Sequence, residues 1–218
     1  NETDLKLLDD FRRSFNEAYE ITVKAIRVRT KAEPSGRPAK STTAIIEKLK
    51  RESIRLSQFQ DIAGCRIVVG TIVNQNQIVP SLINIFPNSK IIDRRLHPSH
   101  GYRGVHIIVG VEGRSVEIQV RSMLQHLWAE FSEKLSDVID PSIKYGGGEE
   151  NSISEFLQKQ AVFIANIEDL ELDIADLENN TMNSIIKVRL EELQKKVGTT
   201  KREMGKSLKE AISTYSKL

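Results

Sequence analysis

Two β-branched runs, Val105–Val111 and Ser115–Arg121, are separated by little more than Glu112-Gly113. A loop this short allows essentially one antiparallel register, and a one-residue slip would turn every side chain to the wrong face. With Glu112 and Gly113 as the loop, paired residues have numbers that sum to 225. Val105 then faces Val120, Ile107 faces Ile118 and Val109 faces Val116, which makes one apolar face for a core. The opposite face pairs His106 with Gln119, Ile108 with Glu117 and Gly104 with Arg121. One side of a sheet therefore gathers Glu117, Gln119, Arg121 and His106, with Tyr102 just beyond. A solvated face of an antiparallel hairpin has this pattern too, so the rest of the chain decides what the cluster means.

Upstream, Leu8, Phe11, Phe15, Tyr19, Thr22 and Ile26 recur at three- and four-residue steps and predict one amphipathic helix over Leu5–Ile26. Residues 27–40 read as a basic loop with Pro34 and Pro38. It feeds a helix from Ser41 to Glu52 whose Lys48 follows Lys40 and Ala44 at four-residue steps. Between Arg27 and Arg55 there are nine Lys/Arg against three Glu, a plausible cradle for polyphosphate. Asp61 then opens an apolar strand that Arg66 interrupts. A guanidinium in such a run needs an anionic partner or a route to solvent, so an Asp61–Arg66 ion pair is one reading and a site role the other. Val79–Phe86 predicts a short helix with Pro80 in its first turn, and Lys90–Arg94 a short strand.

Ser122 can cap a helix reaching Val138, with Leu124, Leu127, Trp128, Phe131 and Leu135 on its apolar side. Its stripe of His126, Glu130, Glu133 and Asp137 suits a solvated face better than a metal site. Residues 139–150, with Pro141 and three consecutive glycines, predict a loop. Beyond it Phe156, Phe163, Ile167, Leu170, Ile174 and Leu177 keep a helical rhythm, as do Ile186, Leu190, Leu193, Val197, Met204, Leu208 and Tyr215. Residues 151–180 carry one Lys against seven acids, whereas 181–218 carry nine Lys/Arg against four Glu. An antiparallel pair matched in charge, turning at Asn179-Asn180, is the simplest arrangement. Apolar residues left outside the pair are expected to meet a second subunit or another partner.

The lone Cys65 has no partner for a disulfide and reads as a small buried hydrophobe, which suggests a reducing cytoplasm. No apolar run approaches the ~18 residues of a membrane span. The chain begins at Asn, so a preceding segment is expected to have been trimmed.

Taken in order, these segments resemble the RelA/SpoT synthetase domain, the small alarmone synthetase-like family with its toxin branch. The resemblance rests on Arg-Pro-Ala-Lys then Ile-Ile-Glu-Lys-Leu at 37–49, Asp-Ile-Ala-Gly-Cys-Arg at 61–66 and Gly-Tyr-Arg-Gly-Val-His at 101–106. Glu-Ile-Gln-Val-Arg at 117–121 and His-Leu-Trp-Ala-Glu at 126–130 complete it. It implies transfer of the β,γ-pyrophosphate of ATP to the 3′-hydroxyl of a guanine nucleotide. The toxin branch pyrophosphorylates the 3′ end of tRNA instead and implies an antitoxin-like partner at the C-terminal helices; a non-catalytic nucleotide-binding regulator acting through the tail is the rival from another class.

By the same resemblance Asp61 and Glu117 would hold Mg²⁺, with Glu117 also drawing the proton from the attacking hydroxyl. Arg37 and Arg66 would stack on adenine, and Lys40 and Lys48 would neutralise the triphosphate. Tyr102 would stack on the acceptor base, with His106, Gln119 and Arg121 around the acceptor. The chain departs from the family pattern in four places. Arg37-Pro-Ala-Lys40 is one residue longer than the usual Arg-x-Lys, so that Arg29 is a second candidate for Arg37's role. A usual serine is Ala44, the acceptor loop has Pro98 and His100 for a basic residue and an Asn, and a usual Glu-His pair reads Ser132-Glu133. The implied fold is α+β, a mixed sheet of about five strands flanked by helices, nucleotidyltransferase-like, then a helical hairpin. Its expected divisions are 1–26, 27–145 and 151–218.

Overall fold

The computed structural model describes residues 2–52, 54–143, 146, 151–180 and 184–216. Five strands form one mixed sheet in the order β1-β2-β5-β4-β3: β1 Ser35–Arg37, β2 Ala63–Val69, β3 Lys90–Asp93, β4 Val105–Val111 and β5 Arg114–Ser122. The hairpin register is the expected one, with Val105 opposite Val120 and Val109 opposite Val116. Its turn is closed by Glu112 at φ 47° and Gly113 at φ 68°, the pair of positive φ values that matches the twist of the flanking strands. The fifth strand is the surprise. β1 lies inside the expected basic loop and pairs antiparallel with β2, Gly36 opposite Cys65 and Arg37 opposite Gly64. A Cβ on Gly36 would stand 2.3 Å from the Gly64 carbonyl oxygen, so only glycine lets this edge approach.

Clustering of contacts divides the chain into two compact units. The first comprises residues 1–67, 78–92 and 105–120, and the second 68–77, 93–104 and 121–218. In the first unit, α2 (Asn16–Thr30) packs on β4 and buries Ala18, Tyr19, Thr22, Val23 and Ile26. The sheet contributes Ala63, Cys65, Ile67, Ile107, Val116 and Ile118, all nearly inaccessible. Each such aliphatic side chain is worth about 1.5–3 kcal/mol of burial. The single helix expected over 5–26 is two, α1 (Glu2–Arg13) and α2, separated at Ser14-Phe15. The chain tightens there, with Phe15 N–H donating to the Arg12 carbonyl and Ser14 Oγ to the Phe11 carbonyl. The turn brings Phe11 and Phe15 edge to face and under Arg114. The helix α3 (Thr42–Arg51) is capped by Ser41, whose Oγ accepts from the Ala44 amide. Helix α4 (Ile72–Ile85) is a full turn and more longer than expected and holds Pro80 in its interior. It starts where Thr71 Oγ1 accepts from the Asn74 amide, a cap that the proline obscures in the sequence.

In the second unit, α5 (Met123–Val138), α6 (Asn151–Asn180) and α7 (Ser184–Tyr215) share one core of Leu124, Leu127, Trp128, Leu157, Ile164 and Leu208 among others. Trp128 Nε1 donates to the Leu157 carbonyl at 2.9 Å. The tail is therefore not a self-contained hairpin, because α5 is the third helix of its core. Within α6 the buried stripe runs through Leu157, Ala161, Ile164 and Ile167, whereas Phe156, Phe163, Leu170 and Leu177 remain about half exposed. The turn expected at Asn179-Asn180 is still helix, since the Asn180 side chain donates to the Asp176 carbonyl at 2.9 Å and secures the last turn. Residues 144–145, 147–150 and 181–183, on which the expected glycine loop and interhelical turn partly fall, lie outside the described residues. Among the described residues no helix is long and apolar enough to cross a membrane.

Candidate active site

In the first unit, alternation along β2 and β5 separates core from site. Ala63, Cys65 and Ile67 point one way, and Gly64 and Arg66 the other. Arg37 opposes Gly64 and Ser35 opposes Arg66, so Arg37 and Arg66 are diagonal neighbours on one face. A Cβ on Gly64 would lie 3.6 Å from the Glu117 Cβ, which puts Glu117 on that same face. His106 and Gln119 are paired beside it. Here the structure brings together the residues expected to act.

Asp61 is gripped by both lysines. Lys48 Nζ lies 3.0 Å from each carboxylate oxygen, and Lys40 Nζ also donates to Oδ2. Lys40 precedes the helix rather than continuing its stripe; its amide donates to the Ile62 carbonyl at 2.8 Å, next to Asp61. Arg12 Nε donates to the Lys40 carbonyl at 2.7 Å and Nη1 to Thr42 Oγ1, so α1 buttresses Lys40. Lys48 also sits 4.9 Å from the centroid of the Phe59 ring. Lys40 and Lys48 are thus ion partners of Asp61. Burial would raise the Asp61 carboxyl, but the hydrogen bonds and charges of Lys40 and Lys48 outweigh it and hold the group below its ordinary range.

Glu117 has a different shell. His106 Nδ1 lies 2.8 Å from its Oε1, and Gln119 Nε2 donates to its Oε2 at 2.7 Å. Burial works to raise this carboxyl as well; the His106 and Gln119 hydrogen bonds prevail and keep it low, against a smaller opposing push from the Asp61 charge. That mutual repulsion is the electrostatic signature of two carboxylates facing a common space, one a cation would relieve. Among the described residues there is no group of three or more His, Cys, Asp or Glu suited to a metal ion. Asp61 and Glu117 would be carboxylate ligands of the kind Mg²⁺ takes when substrate phosphates supply the rest of its shell. Cys65, on the core face, is pushed up to about 12 by burial and by the Glu117 charge, so its thiol stays neutral and inert.

The second unit holds the other two expected acceptor residues. Arg121 Nε donates to the Tyr102 hydroxyl at 3.1 Å, and the guanidinium lies 4.9 Å from the ring centroid. Tyr102 packs against the α5–α6–α7 core and Arg121 is almost fully buried. Gly104, at φ 158°, leaves its Cβ position to the Tyr102 hydroxyl, 3.0 Å away. Arg29 lies exposed in the last turn of α2, and Arg37 is exposed on β1. Sequence reasoning missed the polar cluster beneath this pair, Gln75, Arg95, Arg103, Gln125 and Glu168, because its members come from four separate segments. The one available signal was Glu168 itself, an acid directly after Ile167 on the apolar side of α6.

Comparison with known proteins agrees with this architecture. The region found in RelA and SpoT proteins matches residues 36–136. An uncharacterized protein of Mycobacterium tuberculosis is 38% identical over 111 residues, 49% of this chain and 41% of that protein. A rice chloroplast protein named as a probable GTP diphosphokinase is 33% identical over 96 residues, 42% of this chain and 13% of that protein. The chain thus spans about two fifths of the length of the first of these relatives and far less of the second. In three dimensions the small alarmone synthetase 1 of Bacillus subtilis, solved with its product pppGpp, superposes with a TM-score of 0.58 at 22% identity. That match covers 84% of this chain and all of the other. A Streptococcus mutans protein gives 0.56 at 22% identity, over 85% and 98% of the two chains. These likenesses show the same fold, and residues 36–136 match the region found in RelA and SpoT proteins.

Proposed function

We propose that the chain is a Mg²⁺-dependent ATP pyrophosphokinase that moves the β,γ-pyrophosphate of ATP to the 3′-hydroxyl of GDP or GTP. The observation that carries this reading is a pair of differently wired carboxylates, Glu117 on β5 and Asp61 just before β2, near enough for the Asp61 charge to act on Glu117. Asp61 is clasped by Lys40 and Lys48, and Glu117 by His106 and Gln119. A nucleotide-binding module has no need of both. Arg37 and Arg66 supply flat cations for adenine. Lys40 and Lys48 would turn from Asp61 to the triphosphate oxygens of ATP, and Asp61 and Glu117 would be the residues to hold Mg²⁺. The bound cation supplies charge neutralisation on the phosphates and orientation of the transferring group.

In the transfer itself the 3′-oxygen bonds to the β-phosphorus, the bond from that phosphorus to the α,β-bridging oxygen breaks, and AMP leaves. The hydroxyl proton passes to Glu117. A carboxylate kept low is a weak base, which suits a loose phosphoryl transition state in which the proton moves late. His106 Nδ1–H stabilises the carboxylate until then. Tyr102 and Arg121 of the second unit serve as base platform and clamp for the acceptor. Cytoplasmic action fits nucleotide substrates of this kind.

The reading is tested by incubating the protein with γ-³²P-ATP, Mg²⁺ and, separately, GDP, GTP, adenine nucleotides and deacylated tRNA. Label is expected on a guanine nucleotide. Label on tRNA alone would replace the acceptor, and label on nothing would remove the enzyme.

A further inference from the structure

The second unit contains a buried carboxylate that the transfer chemistry does not use. Glu168, midway along α6, is 2% exposed. Its Oε1 accepts from Ser122 Oγ at 2.6 Å and from Gln125 Nε2 at 2.9 Å, and its Oε2 from Arg103 Nη2 at 3.2 Å. Gln125 is fixed in turn by Gln75, whose Nε2 donates to its Oε1 at 3.0 Å. Arg103 Nη1 donates to the Arg95 carbonyl at 3.1 Å, and Arg95 is clamped on Asp93. An ionised carboxylate is costly to bury, and an apolar residue after Ile164 and Ile167 would serve packing at less cost. What the acid provides is direction. Two of its three anchors, Arg103 and Ser122, are the immediate chain neighbours of Tyr102 and Arg121.

Adjacent Cα atoms are only ~3.8 Å apart, so tying residues 103 and 122 to one carboxylate limits where 102 and 121 can go. Those two are the pair that stacks and hydrogen bonds. The loop that carries Tyr102 is also tied by its own backbone: Ser99 and Tyr102 bond each other, and the Arg94 amide donates to the Gly104 carbonyl. We propose that Glu168 is a positioning residue for the acceptor, through which α6 sets the geometry of the Tyr102–Arg121 pair. This rests on the pyrophosphokinase reading for its functional consequence, though not for its structural one.

The test uses the full chain and the variant Glu168→Gln. Its amide can still accept from Ser122 but turns an N–H toward Arg103, so the Arg103 arm is broken. Arg103→Gln removes the same arm while leaving Glu168 to Ser122 and Gln125, and serves if the first variant fails to fold. Glu171→Gln, which loses another ion pair of α6, the one with Lys201, is the control. Two quantities are read: the separate KM values for acceptor and ATP, and hydrogen exchange at the Ser99 and Tyr102 amides. Loss of a charge-assisted bond predicts a rise of about ten-fold or more in acceptor KM, with ATP KM within about two-fold, and faster exchange at both amides. Glu171→Gln should leave the KM values and both amides unchanged. Unchanged exchange at Ser99 and Tyr102, or equal changes in both KM values, would overturn the proposal and leave Glu168 a stability residue. If the wild-type chain transfers to no acceptor, the functional reading fails and the amide exchange still decides whether Glu168 positions the loop.

Discussion

His106 Nδ1 stands 2.8 Å from Glu117 Oε1, across the hairpin from its own partner Gln119. The imidazole thus belongs to the carboxylate rather than to the acceptor alone. Glu117→Gln keeps the shape but removes the charge that attracts metal and takes the proton. Turnover is expected to fall by at least about 100-fold, the scale of a lost general base, with ATP affinity little changed. Single-turnover transfer assays read this, and near-normal rates would remove Glu117 from the chemistry.

The carboxylates also set a pH dependence. An acid whose pKa is depressed by folding contributes stability fully above its unfolded value and loses it as pH falls through the folded value. For Asp61 and Glu117 that window opens near the ordinary 3.8 and 4.5 and extends downward. Asp61→Asn leaves Lys40 and Lys48 facing each other, and at pH 7 should cost about 1–2 kcal/mol, a figure discounted for partial exposure. Thermal melts of both proteins should converge as the pH falls through the depressed folded value of Asp61. A gap of the same size at both ends of the range would contradict the ion-pair account.

Much of this site could be read in the chain because it is built on a period of two. The Glu112-Gly113 turn set the hairpin register, and alternation alone placed His106 with Gln119 and Glu117 on one face. What stayed hidden depends on partners distant in sequence. β1 exists because Gly36 lets an edge approach Gly64 and Cys65, which a basic proline-containing loop does not announce. The division between α1 and α2 depends on how Phe11 and Phe15 stack beneath Arg114. Pro80 looked like a helix start and sits inside one, because Thr71 supplies the cap upstream. On α6, apolar residues fall on two stripes, and periodicity could not say that α5 covers only one of them.

Tyr102 separates platform from packing. Tyr102→Phe loses the hydroxyl that accepts from Arg121 but keeps the ring, whereas Tyr102→Ala loses both. Base stacking on an aromatic ring is worth about 1–3 kcal/mol, so Ala should raise acceptor KM by about ten-fold or more and Phe by much less. Tyr102→Ala should also lower Tm, because the ring lies against the α5–α6–α7 core. Equal losses for ATP and acceptor would make the tyrosine purely structural.

The tail yields a prediction about both stability and assembly. A chain ending near Gly148 would expose Leu127, Trp128 and Phe131, so it should be insoluble or molten rather than an active monomer. In the full chain, Phe163, Leu170 and Leu177 of α6 meet Leu193 and Val197 of α7 along an apolar groove of about 450 Å³. With α6 acidic and α7 basic, a second copy laid antiparallel satisfies both charge and apolar surface. Sedimentation should show a dimer or larger, and Leu170→Glu should give a monomer. A wild-type chain that stays monomeric at high concentration would assign the groove to a different partner.

The central claim is pyrophosphate transfer, and the most direct measurement follows both phosphorus atoms at once. ATP labelled separately at the β- and γ-positions is incubated with the full chain, Mg²⁺ and GDP, and the products are resolved. Both labels should move together to the acceptor, one AMP appearing for each acceptor modified. Transfer of the γ label alone with ADP as by-product, or ATP left intact with every acceptor, would contradict the assignment of Asp61 and Glu117 to this chemistry.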